Sequence, residues 1–547
     1  MGFFSTHASG TQDPSEVRNW RIHLIALVAS MSALAMGYDT AVIGGTMALD
    51  SFRRDFHLDE VSSSVRDTIQ GNIVSTFQFG RRKTVMLAGT VFLVGGTLMT
   101  AASGNLNLIY AGRAIAGLGI GASSLTVPVY IAETAPPSIR GRLVGIFEIA
   151  SQGGGMLGFW INYATDRTID VNSRAQWIVP LGLQLAPGLG LALGMIWCPE
   201  SPRWLARGDH FDTAERILVN IRGLPADHEY IRREMNDIRT QVEERTSHRM
   251  TKKQMFQKLF QKGIRNRMGL GMALMFLQSF TGKMLSNPRP PAPHLPVFGL
   301  TCATGVNIIT YYAPRIFESL GITGTSTKLF STGFYGIAKT FGMFLFTFWV
   351  AERVGRRKGL LWGSALGCIP MLYIGGYVMR ANPTRAAAEG VINRDGWGYL
   401  AMACVYINGI IICATWQGIT WLYASEVQTL EIRMLAVSIT TATTWLGSFI
   451  IARSTPYMIS DLGYGAYFFF GAILILMGIW AFFFVPETKG LTLEDMDTLF
   501  MNPTHKTVWA QMRGRPIVAP ERARSPSISD EKFEANIEAA QVERPKS

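Results

Sequence analysis

The chain has 547 residues, 48% hydrophobic and 16% charged, where soluble domains carry about 25% charged residues. That balance excludes an ordinary soluble enzyme or binding domain. The net charge of +12 would suit a nucleic-acid binder, but Lys and Arg fall in short loops between apolar runs, as expected beside membrane spans, so no nucleic-acid partner is expected. The 5 cysteines have neither metal-ligand spacing nor a disulfide framework.

Residues 1–19 are polar and read as a cytoplasmic N-terminal tail. A first transmembrane bundle is predicted over 20–200, with apolar runs at 22–47, 84–102, 106–131, 143–163 and 177–198. One crossing is missing. The interval 68–80, between Asp67 and the basic turn Gly80-Arg81-Arg82-Lys83, is shorter than the roughly 20 residues a span needs. Without that span the basic turn changes sides, against the charge rule. Residues 201–267 are rich in Lys, Arg and Glu and predict amphipathic linker helices on the cytoplasmic side.

A second bundle is predicted over 268–490, with runs from 268 and at 329–350, 360–379, 398–423, 434–451 and 465–485. Its first run is interrupted by the proline-rich segment 283–305, which cannot lie inside a membrane helix. Deleting it joins Phe280-Thr281-Gly282 to Val306-Asn307-Ile308 as one span. Gly282-Lys283 is what an intron donor GGTAAG encodes, so 283–305 reads as a retained intron. The join near Gln78 and Phe79 reads as a skipped segment that would supply the missing span. Residues 491–547 are polar and read as a cytoplasmic tail, with one short helix predicted at 493–500 and no order beyond it.

Three motifs recur in the same order in both halves. Gly80-Arg81-Arg82-Lys83 is matched by Gly355-Arg356-Arg357-Lys358, Glu133 to Arg140 by Glu426 to Arg433, and Pro199-Glu200-Ser201 by Pro486-Glu487-Thr488. A repeat of this length signals two related membrane bundles around a midplane site. The glycines at 117, 119 and 121 after Arg113 would let helices approach closely in a bilayer. The stretch Gly117 to Ser123 also looks like a phosphate-binding loop, but it lies inside an apolar run with no strand before it. No nucleophile elbow or metal cluster is found, so an enzyme is not expected.

Taken together, R-x-x-x-G-x-G-x-G from Arg113, P-x-Y-x-x-E-x-x-P-x-x-x-R-G from Pro128, PESPRWL from Pro199, the two GRRK turns and PETKG from Pro486 resemble the sugar porter family of the major facilitator superfamily. The resemblance covers roughly residues 20–500 and is nearest to the fungal branch of hexose, pentose, quinate and uronate carriers. It implies an all-α polytopic membrane protein with the major facilitator fold: two six-helix bundles, twelve spans and alternating access. It further implies transport of a sugar, hexose or pentose, by proton symport. The alternatives are a quinate or uronate symporter, or a non-transporting sensor. The expected partners are a sugar or polyol, the proton and the lipid bilayer, with no cofactor and no metal, in a plasma membrane with both termini cytoplasmic; the oligomeric state is left open.

The resemblance also assigns residues. Asp39 matches the acid of proton-coupled members and Arg113 its partner, a pair able to change protonation with conformation. Gln278 and Asn307 match sugar contacts, Trp421 the aromatic against the sugar ring, and Tyr311 and Tyr312 the extracellular gate. Glu148, Lys339 and Thr444 stand at substrate-facing positions but depart from the glucose pattern, as does Gln417-Gly418, where Gly-Pro is usual. An intramembrane Lys or Glu is a functional candidate by default. Arg81, Glu133, Arg140, Arg356, Glu426 and Arg433 match a cytoplasmic gating network.

Overall fold

The computed structural model describes residues 14–46, 49, 51–52, 82–136, 139–208, 210–247, 254, 257–261, 263–279, 316–317, 320, 324–381, 396–428, 432–489, 499–500 and 504–513, and these contain helices and no strand. The interval where a span is missing, the whole of the 283–305 segment, Arg81, Asn307, Tyr311 and Tyr312 lie outside this set.

The first half holds α1 (Trp20–Thr46), α2 (Arg82–Thr100), α3 (Leu106–Thr134), α4 (Arg140–Thr168), α5 (Ala175–Leu183) and α6 (Leu185–Trp197). The last two form one crossing that breaks at Gln184. Pro187 has no N–H to give to Leu183, which explains the break. The linker follows as α7 (Pro202–Arg207), α8 (Phe211–Arg222) and α9 (Glu229–Ser247). The second half holds α10 (Ile264–Ser279), α11 (Thr325–Leu345), α12 (Arg356–Ala381), α13 (Gly396–Ile412), α14 (Gly418–Glu426), α15 (Arg433–Leu462) and α16 (Gly465–Phe484). A π-helical turn, Phe346–Val350, extends α11, and another, Cys413–Gln417, joins α13 to α14.

Within the first half α1 packs along α4 and α2 along α3; within the second, α12 packs along α16 and α10 along α15. Small residues make the first contact possible. A Cβ on Gly37 would stand 1.7 Å from the Ser151 carbonyl oxygen, so only glycine lets α1 and α4 meet there.

The halves join mainly where α4 lies against α11. Gly336 admits the Met156 backbone, and Trp160 sits edge-on to Phe330 and Phe334. At the end remote from the linker the Ser326 hydroxyl donates to Asp166. Among the described residues, six helical segments are long and apolar enough to cross a membrane, and neither α4 nor α11 is among them. These two helices pack against each other along the seam, so part of each is covered by the other half.

The linker helices belong to the first half. Asn19 donates to the Ile221 carbonyl at 2.8 Å, and the buried Arg222 donates to the Thr134 carbonyl at 2.7 Å while forking onto Glu234 at 2.9 and 2.7 Å. The tail departs from the sequence expectation. Leu499 and Phe500 are helical and buried, but a further helix, α17 (Thr504–Met512), lies beyond them. Thr507 and Val508 bury one face of α17, and the Thr507 hydroxyl donates to the Leu499 carbonyl at 3.1 Å. Its polar sequence hid that one-sided contact.

Candidate transport site and charged network

Asp39 on α1 and Arg113 on α3 are buried charges within the spans of the first half, 0% and 1% exposed. Arg113 donates to the Asp39 carboxylate and also reaches its carbonyl at 3.5 Å. The structure brings these two side chains into direct contact. Nearby, Asn162 on α4 accepts from Thr46 at 2.9 Å and donates to the Val42 carbonyl at 2.9 Å, tying the same stretch of α1 to α4.

The substrate-facing candidates come from both halves. Glu148 lies half-buried on α4 and Lys339 is buried on α11. The Lys339 stem runs beside Gly409 of α13, and its ammonium stands 5.9 Å from the Tyr335 ring centre. Cys413 is fully buried in the π turn. Gln278 on α10 is held by Thr420 of α14, whose hydroxyl donates to the Gln278 side-chain oxygen at 2.5 Å. Trp421 follows, half-buried. Thr444 on α15 is buried and donates to its own helix, to the Thr440 carbonyl at 3.2 Å.

The replacement of Gly-Pro by Gln417-Gly418 has a steric reason. A Cβ on Gly418 would stand 2.4 Å from the Phe346 ring. A π turn here does what a proline would otherwise do, interrupting the helix ladder at midspan.

The charged network is best described in the second half. Arg356 forks onto Glu426 at 3.1 and 2.6 Å. Glu487 accepts from the backbone amides of Arg356 at 2.8 Å and Arg357 at 3.1 Å, capping the first turn of α12, where orphan N–H groups and the helix dipole favour an anion. That explains Gly355: its φ is +87° and a Cβ there would stand 2.8 Å from the Glu487 carboxylate. In the first half Ser201 donates to Glu133 at 2.6 Å.

The repeat is visible in backbone and side chain alike. Tyr130 donates to the Pro199 carbonyl at 2.5 Å and Tyr423 to the Pro486 carbonyl at 3.1 Å. Arg140 and Arg433 open α4 and α15, each preceded by an isoleucine of the same conformation, φ −120°, ψ 2° at Ile139 and φ −112°, ψ 8° at Ile432. The Arg140 and Arg433 side chains lie outside the described set. Each of these contacts stays within its own half.

Tyr130, Tyr423, Glu487, Thr420 and Arg222 were given no role from sequence. The Tyr-x-x-Glu spacing shared by Tyr130-Glu133 and Tyr423-Glu426 was a signal for the first two. Thr420 and Arg222 act through tertiary contacts and leave no local pattern.

Two related helical halves and a buried acid–arginine pair within the first define an integral membrane transporter of the two-bundle type. The sequence profile described as Sugar (and other) transporter matches residues 25–287 and 295–500. The chain belongs to that family. Among curated relatives, proteins named "Probable quinate permease" from Aspergillus fumigatus and Aspergillus terreus are each 38% identical, covering 91% of this chain and 92% and 89% of their own lengths. Among solved structures, the major facilitator superfamily proton:xylose symporter XylE bound to 6-bromo-6-deoxy-D-glucose aligns with a TM-score of 0.67 at 24% identity, over 88% of this chain and 99% of that one. The inward-open XylE from E. coli aligns with a TM-score of 0.65 at 23% identity, over 88% and 100%. The fold is the major facilitator fold.

Proposed function

We propose that this chain carries a small polyhydroxylated ring compound, a sugar in the first instance, across the plasma membrane together with a proton, with both termini cytoplasmic. The observation that carries the reading is the buried Asp39–Arg113 contact inside a sugar-transporter fold. A carboxylate shut in beside a single cation can exist with or without a proton, and its burial can be tied to which way the two bundles open. Gln278 and Trp421 supply an amide for hydroxyls and a ring face for a pyranose or cyclohexane ring. Uptake of labelled sugars at two pH values, in a host without its own hexose carriers, tests it: accumulation should rise as the outside is acidified.

A second reading, a hydroxylated ring acid as substrate, is supported by Lys339 on α11 and by the names of the relatives. Excess quinate or galacturonate against excess xylose or glucose separates the two.

We further propose that 283–305 is an aberrant insertion and that one span is missing before Arg82. In support, the family match passes over 288–294, inside that segment.

A further inference from the structure

Thr420 stands on the first turn of α14, directly after the π turn that ends at Gln417, and it is fully buried. Its hydroxyl oxygen lies 2.5 Å from the Gln278 side-chain oxygen, 2.7 Å from the Trp416 carbonyl and 3.3 Å from the Gln417 carbonyl; its one hydrogen can serve only one of the three at a time, and the Gln278 oxygen is the nearest. The other end of the same amide, Gln278 Nε2, approaches the Gln417 carbonyl at 3.5 Å. A π turn displaces its carbonyls from the regular ladder, so they are placed to receive side-chain donors. Two helices, α10 and α14, are thereby linked through one amide, and the residue next to Thr420 is Trp421.

We infer that Thr420 is a positioning residue for substrate recognition, setting which end of the Gln278 amide is turned to the ligand. The inference rests on the reading of Gln278 as a substrate contact. An amide has a donor end and an acceptor end, and without a fixed neighbour it can rotate between them. With its oxygen held by Thr420, Gln278 meets the ligand with nitrogen, which suits a hydroxyl lone pair or a carboxylate oxygen. Valine has the shape of threonine and no hydroxyl, so Thr420→Val removes this hold on the amide oxygen without opening space.

The test measures binding of D-xylose and of quinate, as separate probes, to the purified full chain carrying Gln278→Ala, Thr420→Val, Thr420→Ala, Thr420→Ser or the Gln278→Ala/Thr420→Val pair. Thr420→Val and Thr420→Ala are expected to weaken the bound probe about tenfold, the size of one lost polar contact of about 1.4 kcal/mol. Thr420→Ser should restore it, and Thr420→Val should add nothing on the Gln278→Ala background. If Gln278→Ala weakens binding while the Thr420 variants do not, or if the two losses add, Thr420 does not act through Gln278. If Gln278→Ala leaves binding unchanged, or neither probe binds, the reading of Gln278 fails first and this inference with it.

Discussion

Tyr130 and Tyr423 occupy the same place in the two halves: each ends a span and sends its hydroxyl to the prolyl carbonyl that opens the next cytoplasm-side motif, Pro199 or Pro486. The two contacts should therefore be worth similar amounts. Tyr130→Phe and Tyr423→Phe are each expected to cost about 1 kcal/mol, the net value of one hydrogen bond, with transport retained. Thermal unfolding of the two variants in detergent checks this, and a large loss in one half alone would break the equivalence.

Asp39→Asn keeps the shape of the side chain and its bond to Arg113 but cannot carry a proton. Accumulation against a gradient is expected to disappear while exchange of substrate across the membrane continues. Accumulation and counterflow assays in vesicles read the two separately; a variant that still concentrates substrate would leave Asp39 a structural role only.

Lys339→Met distinguishes the two substrate readings. If the substrate is a neutral sugar, xylose and glucose compete for uptake in the wild type, and removing the ammonium weakens binding of every ligand alike. If only quinate or galacturonate competes, and Lys339→Met loses those selectively, the acid reading replaces the sugar.

Arg222 is buried and serves three acceptor atoms, on Thr134 and Glu234, so Arg222→Ala strands a carboxylate and the end of α3 together. A loss of about 3 kcal/mol is expected, as for other broken buried pairs. One turn along α9, burial and the neighbouring Glu234 hold the Asp237 carboxyl above its usual range, with Arg203 opposing. A raised carboxyl pKa means that folding stability falls as pH climbs past the ordinary aspartate value, about 3.9. Asp237→Asn should thus raise the melting temperature at neutral pH and do nothing below that value. A melt series across pH checks both the sign and the window.

Sequencing the message across codons 78–79 and 283–305 is expected to find a form without 283–305 and with an added span of about 20 residues before Gly80. A single message encoding the chain as it stands, with uptake activity, would remove both proposals.

The bundle plan was legible because membrane crossings announce themselves by length and hydropathy, and because the Glu-to-Arg and Pro-Glu motifs recur in order. The Asp39–Arg113 pairing was legible through resemblance, since the two residues are far apart in the chain and meet only when α1 and α3 pack. What could not be read is what depends on geometry alone. Nothing in Gln417-Gly418 says that Phe346 leaves no room for a side chain. Nothing in a polar tail says that one face of α17 is buried. Gln511 of that helix accepts from the Glu487 amide at 2.9 Å and donates to its carbonyl at 3.0 Å, a pairing no local pattern foretells.

That tail contact has a practical consequence. α17 grips the backbone of the residue whose carboxylate caps α12, and Met512 touches Arg357 beside it. A reporter protein spliced in after Phe500 would replace this brace with a foreign domain at the root of the second half. One attached after Ser547 leaves the brace intact, so the two fusions, identical in every span, are expected to differ in how firmly that end of the molecule closes.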